Sequence, residues 1–79
     1  MNQSSYKIQS VLIRNIIPLK DAIEWLDKNG FKHSKVDNTD NYYRFRQINP
    51  MYLKNQGFTK VRTKLITPQI QFIISYKSI

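Results

Sequence analysis

Thirteen Lys and Arg stand against five Asp and Glu in these 79 residues, a formal charge of +8. That length makes one domain, expected over residues 1–79. A chain so short buries only roughly 60% of its unfolded surface, which leaves little room for a deep catalytic cavity. There is no cysteine, so disulfides and thiolate metal sites are excluded, and 41% apolar with 13% aromatic residues is too rich for intrinsic disorder.

The opening stretch Met1-Asn2-Gln3-Ser4-Ser5 is polar and has no apolar segment of the kind a signal peptide needs. The longest apolar runs, Val11-Leu12-Ile13 and Phe72-Ile73-Ile74, are far too short to cross a membrane. A soluble, intracellular protein is expected, with no membrane partner. The charge is distributed unevenly. All five acids (Asp21, Glu24, Asp27, Asp37, Asp40) fall between residues 21 and 40, whereas the stretch from Asn41 to Ile79 has seven basic residues and no acidic one. Self-repulsion on that scale costs stability and points to an anionic partner, either nucleic acid or an acidic surface.

In chain order, residues 5–16 read as a strand. Tyr6 and Ile8 alternate with Lys7 and Gln9, and Val11 and Ile13 continue on the opposite parity, which predicts a bulge near Ser10 or a strand covered on both faces. Residues 18–29 are the clearest helix. Pro18 suits its first position, Leu19, Ala22, Ile23 and Leu26 form an apolar stripe, and Gly30 ends it with Phe31 packing back on Leu26. Residues 31–37 and 41–48 read as a hairpin around the turn Asp37-Asn38-Thr39-Asp40-Asn41, built of residues that bond their own backbone. On its second strand Tyr43, Phe45 and Gln47 share one face, and Tyr42, Arg44, Arg46 and Ile48 the other. Asn49-Pro50 ends that strand, and Met51 to Gln56 suit one short helical turn stopped by Gly57. Phe58 to Leu65 is compatible with an extended ribbon or an ordered loop. Residues 69–76 form the last strand, with Ile70, Phe72, Ile74 and Tyr76 inward and Gln69, Gln71 and Ser75 outward. The fold class is therefore α+β: one helix on a small antiparallel sheet, order β-α-β-β-(short helix or loop)-β, ferredoxin-like or a reduced variant of it. The second sheet face has no obvious cover.

Two basic groups are candidates for a binding site. Arg44 and Arg46 share a face with Tyr42, the mixture of guanidinium and aromatic surface with which open sheets bind single strands, although the glycines of the RNA-recognition motif are absent. The plain alternative is an edge-packed Tyr42 with solvated arginines. Lys60, Arg62 and Lys64, at period two and joined by Lys54, could follow a phosphate backbone; a solvated loop is the plain alternative. Trp25 is expected in or beside the core. His33 stands alone and makes a poor metal ligand or general base, and Asp37 and Asp40 serve the turn. With no glycine-rich phosphate loop, no nucleophile–histidine–acid set and no metal spacing, no enzymatic activity, cofactor or metal is expected.

From Gly30 to Pro50 the chain reads GFKHSKVDNTDNYYRFRQINP, preceded by Trp25-Leu26 and followed by Arg62-Thr63 and an apolar terminal strand. This resembles a small domain encoded by tailed phages and by large DNA viruses of amoebae, including the Marseillevirus group. That family's pattern runs W-L-x-x-[HN]-G-[FY], then K-x-D-x-T-x-N-Y-Y-R-[FY]-R-Q, then a proline. The likeness covers most of the chain from Ala22 onward, with the first strand and the Lys54–Lys60 segment less typical. It implies a viral origin, often among head or virion genes, and a place in the host cytoplasm, viral factory, host nucleus or virion. It brings no established activity. The signature residues it marks are Trp25, Gly30, Asp37, Thr39, Asn41, Tyr43, Arg44, Phe45, Arg46 and Gln47, of which Arg44, Arg46 and Gln47 are least explained by packing.

The functional expectation is a nucleic-acid-binding module, DNA or RNA, that reads no specific sequence. Its contacts would be Tyr42, Arg44, Arg46 and Gln47 together with Lys54, Lys60, Arg62 and Lys64. The alternative is a virion or host-interaction module that engages an acidic protein surface through a sheet face or edge, as a homodimer.

Overall fold

A computed structural model describes residues 5–77 of the chain, and the polar stretch 1–4 lies outside them. The element order is β1 (Ser5–Arg14), α1 (Leu19–Lys28), β2 (Val36–Asn38), β3 (Tyr42–Arg46), α2 (Pro50–Asn55), β4 (Lys60–Thr67) and β5 (Ile70–Lys77). The strands form one sheet in the order β2-β3-β1-β5-β4, with every neighbouring pair antiparallel. The run β2-β3-β1-β5 has the strand order of a ferredoxin-like sheet. The chain adds to that plan: the basic segment expected as a ribbon or loop is a full edge strand, β4, paired along β5.

β1 is the central strand, and its register with β5 shifts between Ile8 and Ser10, so Gln9 is an extra residue. Beyond the shift, Val11 and Ile13 face the same side as Ile8. On that side they join Ala22, Leu26, Phe45 and Ile70 in the main core, with Ile17, Ile23, Trp25, Phe31, Tyr43 and Phe72 packed around it. Fully burying each such side chain contributes about 1.5–3 kcal/mol, so this one cluster accounts for most of the apolar stabilisation. Of the predicted helical stripe, Ala22 and Leu26 are buried, Ile23 is half-buried and Leu19 is exposed.

Both helices end in the same way. Gly30 (φ +78°) lets its own N–H reach Asp27 O and the Phe31 N–H reach Leu26 O (2.8 Å). Gly57 (φ +92°) does the same for Lys54 O and for the Phe58 N–H on Leu53 O (2.9 Å). Pro18 is the N-cap of α1, one place before the expected position, and its carbonyl accepts from Asp21 and Ala22. At α2 Asn49 caps through its side chain, accepting from the Met51 N–H at 2.9 Å, with Pro50 next.

Three expected strands are shorter, and the one expected over 41–48 spans only Tyr42–Arg46. The first ends at Arg14, and residues 31–35 stay outside the sheet, leaving β2 with three residues. Ser75, expected outward, is buried and accepts a hydrogen bond from Gln9 Nε2 (3.1 Å). It lies on the sheet face away from α1, at the end where α2 sits. There Leu53 is buried, Lys77 Nζ lies 4.8 Å from the centre of the Phe58 ring, and the same Nζ donates to Gln56 O. The second face is therefore partly covered.

An added Cβ at Gly30 meets nothing within 4 Å, so its only penalty is the left-handed backbone. Gly30→Ala is expected to lower the unfolding free energy by about 1–2 kcal/mol, and Gly30→Asn by less, in urea titrations followed by circular dichroism.

Candidate nucleic-acid interface

The register of β4 against β5 decides how the cations are used. Lys60 pairs with Tyr76, Arg62 with Ile74 and Lys64 with Phe72. Directly opposed residues share a face, so the three cations lie on the α1 side of the sheet, alongside the inward set of β5. Helix α1 covers only part of that side. Beyond it a trough of about 610 Å³ remains open, with Tyr6, Ile8, Phe72, Ile74 and Tyr76 as floor and Arg62, Lys64 and Ile66 on the β4 side. Tyr6 sits opposite Tyr76 and is 62% exposed. An aromatic row leads from the helix end into the floor. Trp25 and Phe31 stack with centroids 5.9 Å apart, and Phe31 meets Phe72 edge-on at 5.3 Å. Trp25 is half-buried beside the core, as its place beside the stripe suggests, and reaches the floor only through Phe31.

The β3 candidates lie elsewhere. Tyr42, Arg44 and Arg46 are on the opposite face, separated from β4 by β1 and β5. The two basic groups expected to act together cannot contact one surface at once. Tyr42 is also engaged. Its backbone N–H and C=O both bond Thr39, and its hydroxyl accepts from Gln71 Nε2 (3.2 Å), which carries the ring from β3 across β1 to β5. Arg44 Nε donates to Ser10 Oγ at 3.5 Å, and Arg44 is half-buried. Tyr42 and Arg44 thus serve the sheet itself.

Gln47 has a complete structural account. Its Oε1 accepts from the Lys32 N–H (2.8 Å), while its Nε2 donates to Lys32 O (2.8 Å) and Phe45 O (3.2 Å). One side chain therefore does what a strand partner's backbone would do, which explains why residues 31–35 run beside β3 without joining the sheet. Lys54 lies in the last turn of α2, where a cation suits the helix dipole, apart from the trough lining. Arg46 is half-buried, and its Nε is enclosed without a hydrogen-bond partner. His33 Nε2 lies 3.7 Å from Asp27 Oδ1 in an exposed pair of small energetic weight.

The sequence pattern lacked one signal, the part played by Tyr6 and Tyr76. Each reads as an ordinary member of an alternating strand, and only the pairing of β1, β5 and β4 places them beside the cations. Gln47→Ala is expected to lower stability by about 1–2 kcal/mol, the loss for buried or half-buried amide bonds, and to raise amide exchange at Lys32. Hydrogen-exchange NMR together with a denaturation curve checks both effects.

No protein-family model matches the chain, and neither the curated proteins nor the solved structures yield a match.

Proposed function

We propose that this protein binds single-stranded nucleic acid, without reading a specific sequence, in the trough formed by β1, β5 and β4. The observation that carries this reading is the shared face of Lys60, Arg62 and Lys64 with Tyr6, Phe72 and Tyr76. Side chains two residues apart on a strand are about 6.8 Å apart. A row of cations at that interval suits the phosphates of an extended strand, while aromatic faces beside it accept bases of any identity. The resemblance to the phage and amoebal-virus domain fits such a role in a viral factory or virion, where bare nucleic acid is abundant.

A second reading is a protein-interaction module, and it rests on the other face. Val61 and Leu65 of β4 are 58% and 62% exposed and lie on the side of the half-buried Ile73 and Leu12. That strip could seat an apolar partner surface or a second copy. Light scattering separates the two: a dimer that persists in Arg62→Ala/Lys64→Ala and is lost in Val61→Lys/Leu65→Lys would favour the second reading.

Fluorescence anisotropy with labelled single strands and duplexes tests the first. Three phosphate contacts predict a log K against log salt slope of about −2 on single strands. Arg62→Ala/Lys64→Ala should abolish most of the binding and Tyr76→Ala should weaken it by about 1–3 kcal/mol, with Arg44→Ala/Arg46→Ala much less affected. Equal losses from the β3 and β4 pairs would reduce the charge to a general polycation effect and sink the trough assignment.

A further inference from the structure

At the opposite end of the sheet from the trough, a cleft of about 270 Å³ lies between the loop after α1 and the end of β3, lined by Lys32, Ser34, Lys35, Arg46, Gln47 and Asn49. We propose that it binds a phosphate-type dianion: inorganic phosphate or the terminal phosphate monoester of a nucleic-acid strand.

Three cations converge on this cleft and no carboxylate lines it. Among the described residues the one ion pair is His33 with Asp27, so none of the three has an acidic partner within salt-bridge distance. The other polar groups offer no competing acceptor. Gln47 Oε1 is taken by the Lys32 N–H, and Asn49 Oδ1 by the Met51 N–H. The backbone carrying the cations is held in place. Gln47 grips both main-chain groups of Lys32, and the Arg46 N–H bonds Lys35 O at 3.1 Å. Arg46 Nε is enclosed and unpaired, a state that is uncommon because a buried charged donor without a partner is costly. An oxyanion with several acceptor oxygens offsets the mutual repulsion of the three charges, and Ser34 can donate to it as well. The volume lies below the roughly 300–1,000 Å³ of pockets that enclose drug-sized ligands and leaves room for a phosphate group.

The site stands independently of the trough, and the test keeps the two apart. Sodium phosphate is titrated calorimetrically into the full chain at constant ionic strength, with chloride as the blank. Saturable one-to-one binding is expected, weakened about tenfold or more in Lys32→Ala/Lys35→Ala, as for loss of at least one charge-assisted hydrogen bond. Both lysines are exposed, so this variant should keep the wild-type circular dichroism. Arg62→Ala/Lys64→Ala should leave phosphate binding unchanged. A second arm compares 5′-phosphorylated and 5′-hydroxyl oligonucleotides in the trough-deficient variant. A preference for the phosphorylated strand that disappears in Lys32→Ala/Lys35→Ala identifies a strand end as the ligand; phosphate binding without that preference identifies free phosphate. Absence of saturable phosphate binding, or equal affinity in Lys32→Ala/Lys35→Ala, overturns the proposal.

Discussion

Gln9 is the extra residue of the central strand, and the use of both sheet faces follows from it. Without the bulge that sets Gln9 out of register, Ile8 and Val11, three residues apart, would point to opposite sides and the strand's apolar residues would be divided between two surfaces. With it, Tyr6, Ile8, Val11 and Ile13 share the α1 side, the last two in the core and the first two in the trough floor. Gln9 is bonded from two directions. Its carbonyl accepts from the Gln47 and Ile48 N–H groups as the chain leaves β3, and its side chain donates to Ser75 on β5. A buried polar residue with these bonds satisfied fixes register where an apolar one would allow slippage.

The distribution of charge follows from the same register. β4 is an edge strand, and strongly basic side chains on an edge discourage pairing with another chain. Here those side chains also lie beside aromatic residues on a surface that α1 leaves open. Two roles, keeping the edge free and attracting an anion, are therefore compatible in Lys60, Arg62 and Lys64. The remaining cations do not add to this surface. Lys32, Lys35 and Arg46 gather at the other edge, so the chain's +8 resolves into separate basic regions rather than one continuous face.

Two backbone devices keep so small a domain ordered. Gly30 and Gly57, the chain's two glycines, end the two helices with the same pair of hydrogen bonds, and the residue after each is an aromatic that packs: Phe31 on Trp25 and Phe72, Phe58 under Lys77. The turn after β2 is tied down by Thr39 to Tyr42 and by Asn15, whose side chain donates to Asp40 O and Thr39 O. These contacts give Thr39, Gly30 and Gln47 sufficient structural reasons for their places in the chain.

Local patterns in the sequence determined much of this. The α1 helix and its glycine stop, the bulge, the DNTDN turn, the short α2 ended by Gly57, the inward set of β5 and the α+β class were all legible, because caps, turns and alternation act over a few neighbouring residues. Tertiary structure alone decided the rest. Whether Phe58 to Leu65 was ribbon or strand depended on its pairing with β5 across the turn at Pro68 and Gln69, which the alternation of cations within the segment does not reveal. The 31–35 strand was lost because one distant side chain, Gln47, satisfied the backbone of Lys32 more directly than a ladder would. Parity within one strand says which residues share a face, but it cannot say which face of the sheet that is, or which strands lie between two candidate groups. So the sequence correctly showed Arg44 with Arg46 and Arg62 with Lys64, while only the order β2-β3-β1-β5-β4 and its register set these pairs on opposite sides of the molecule.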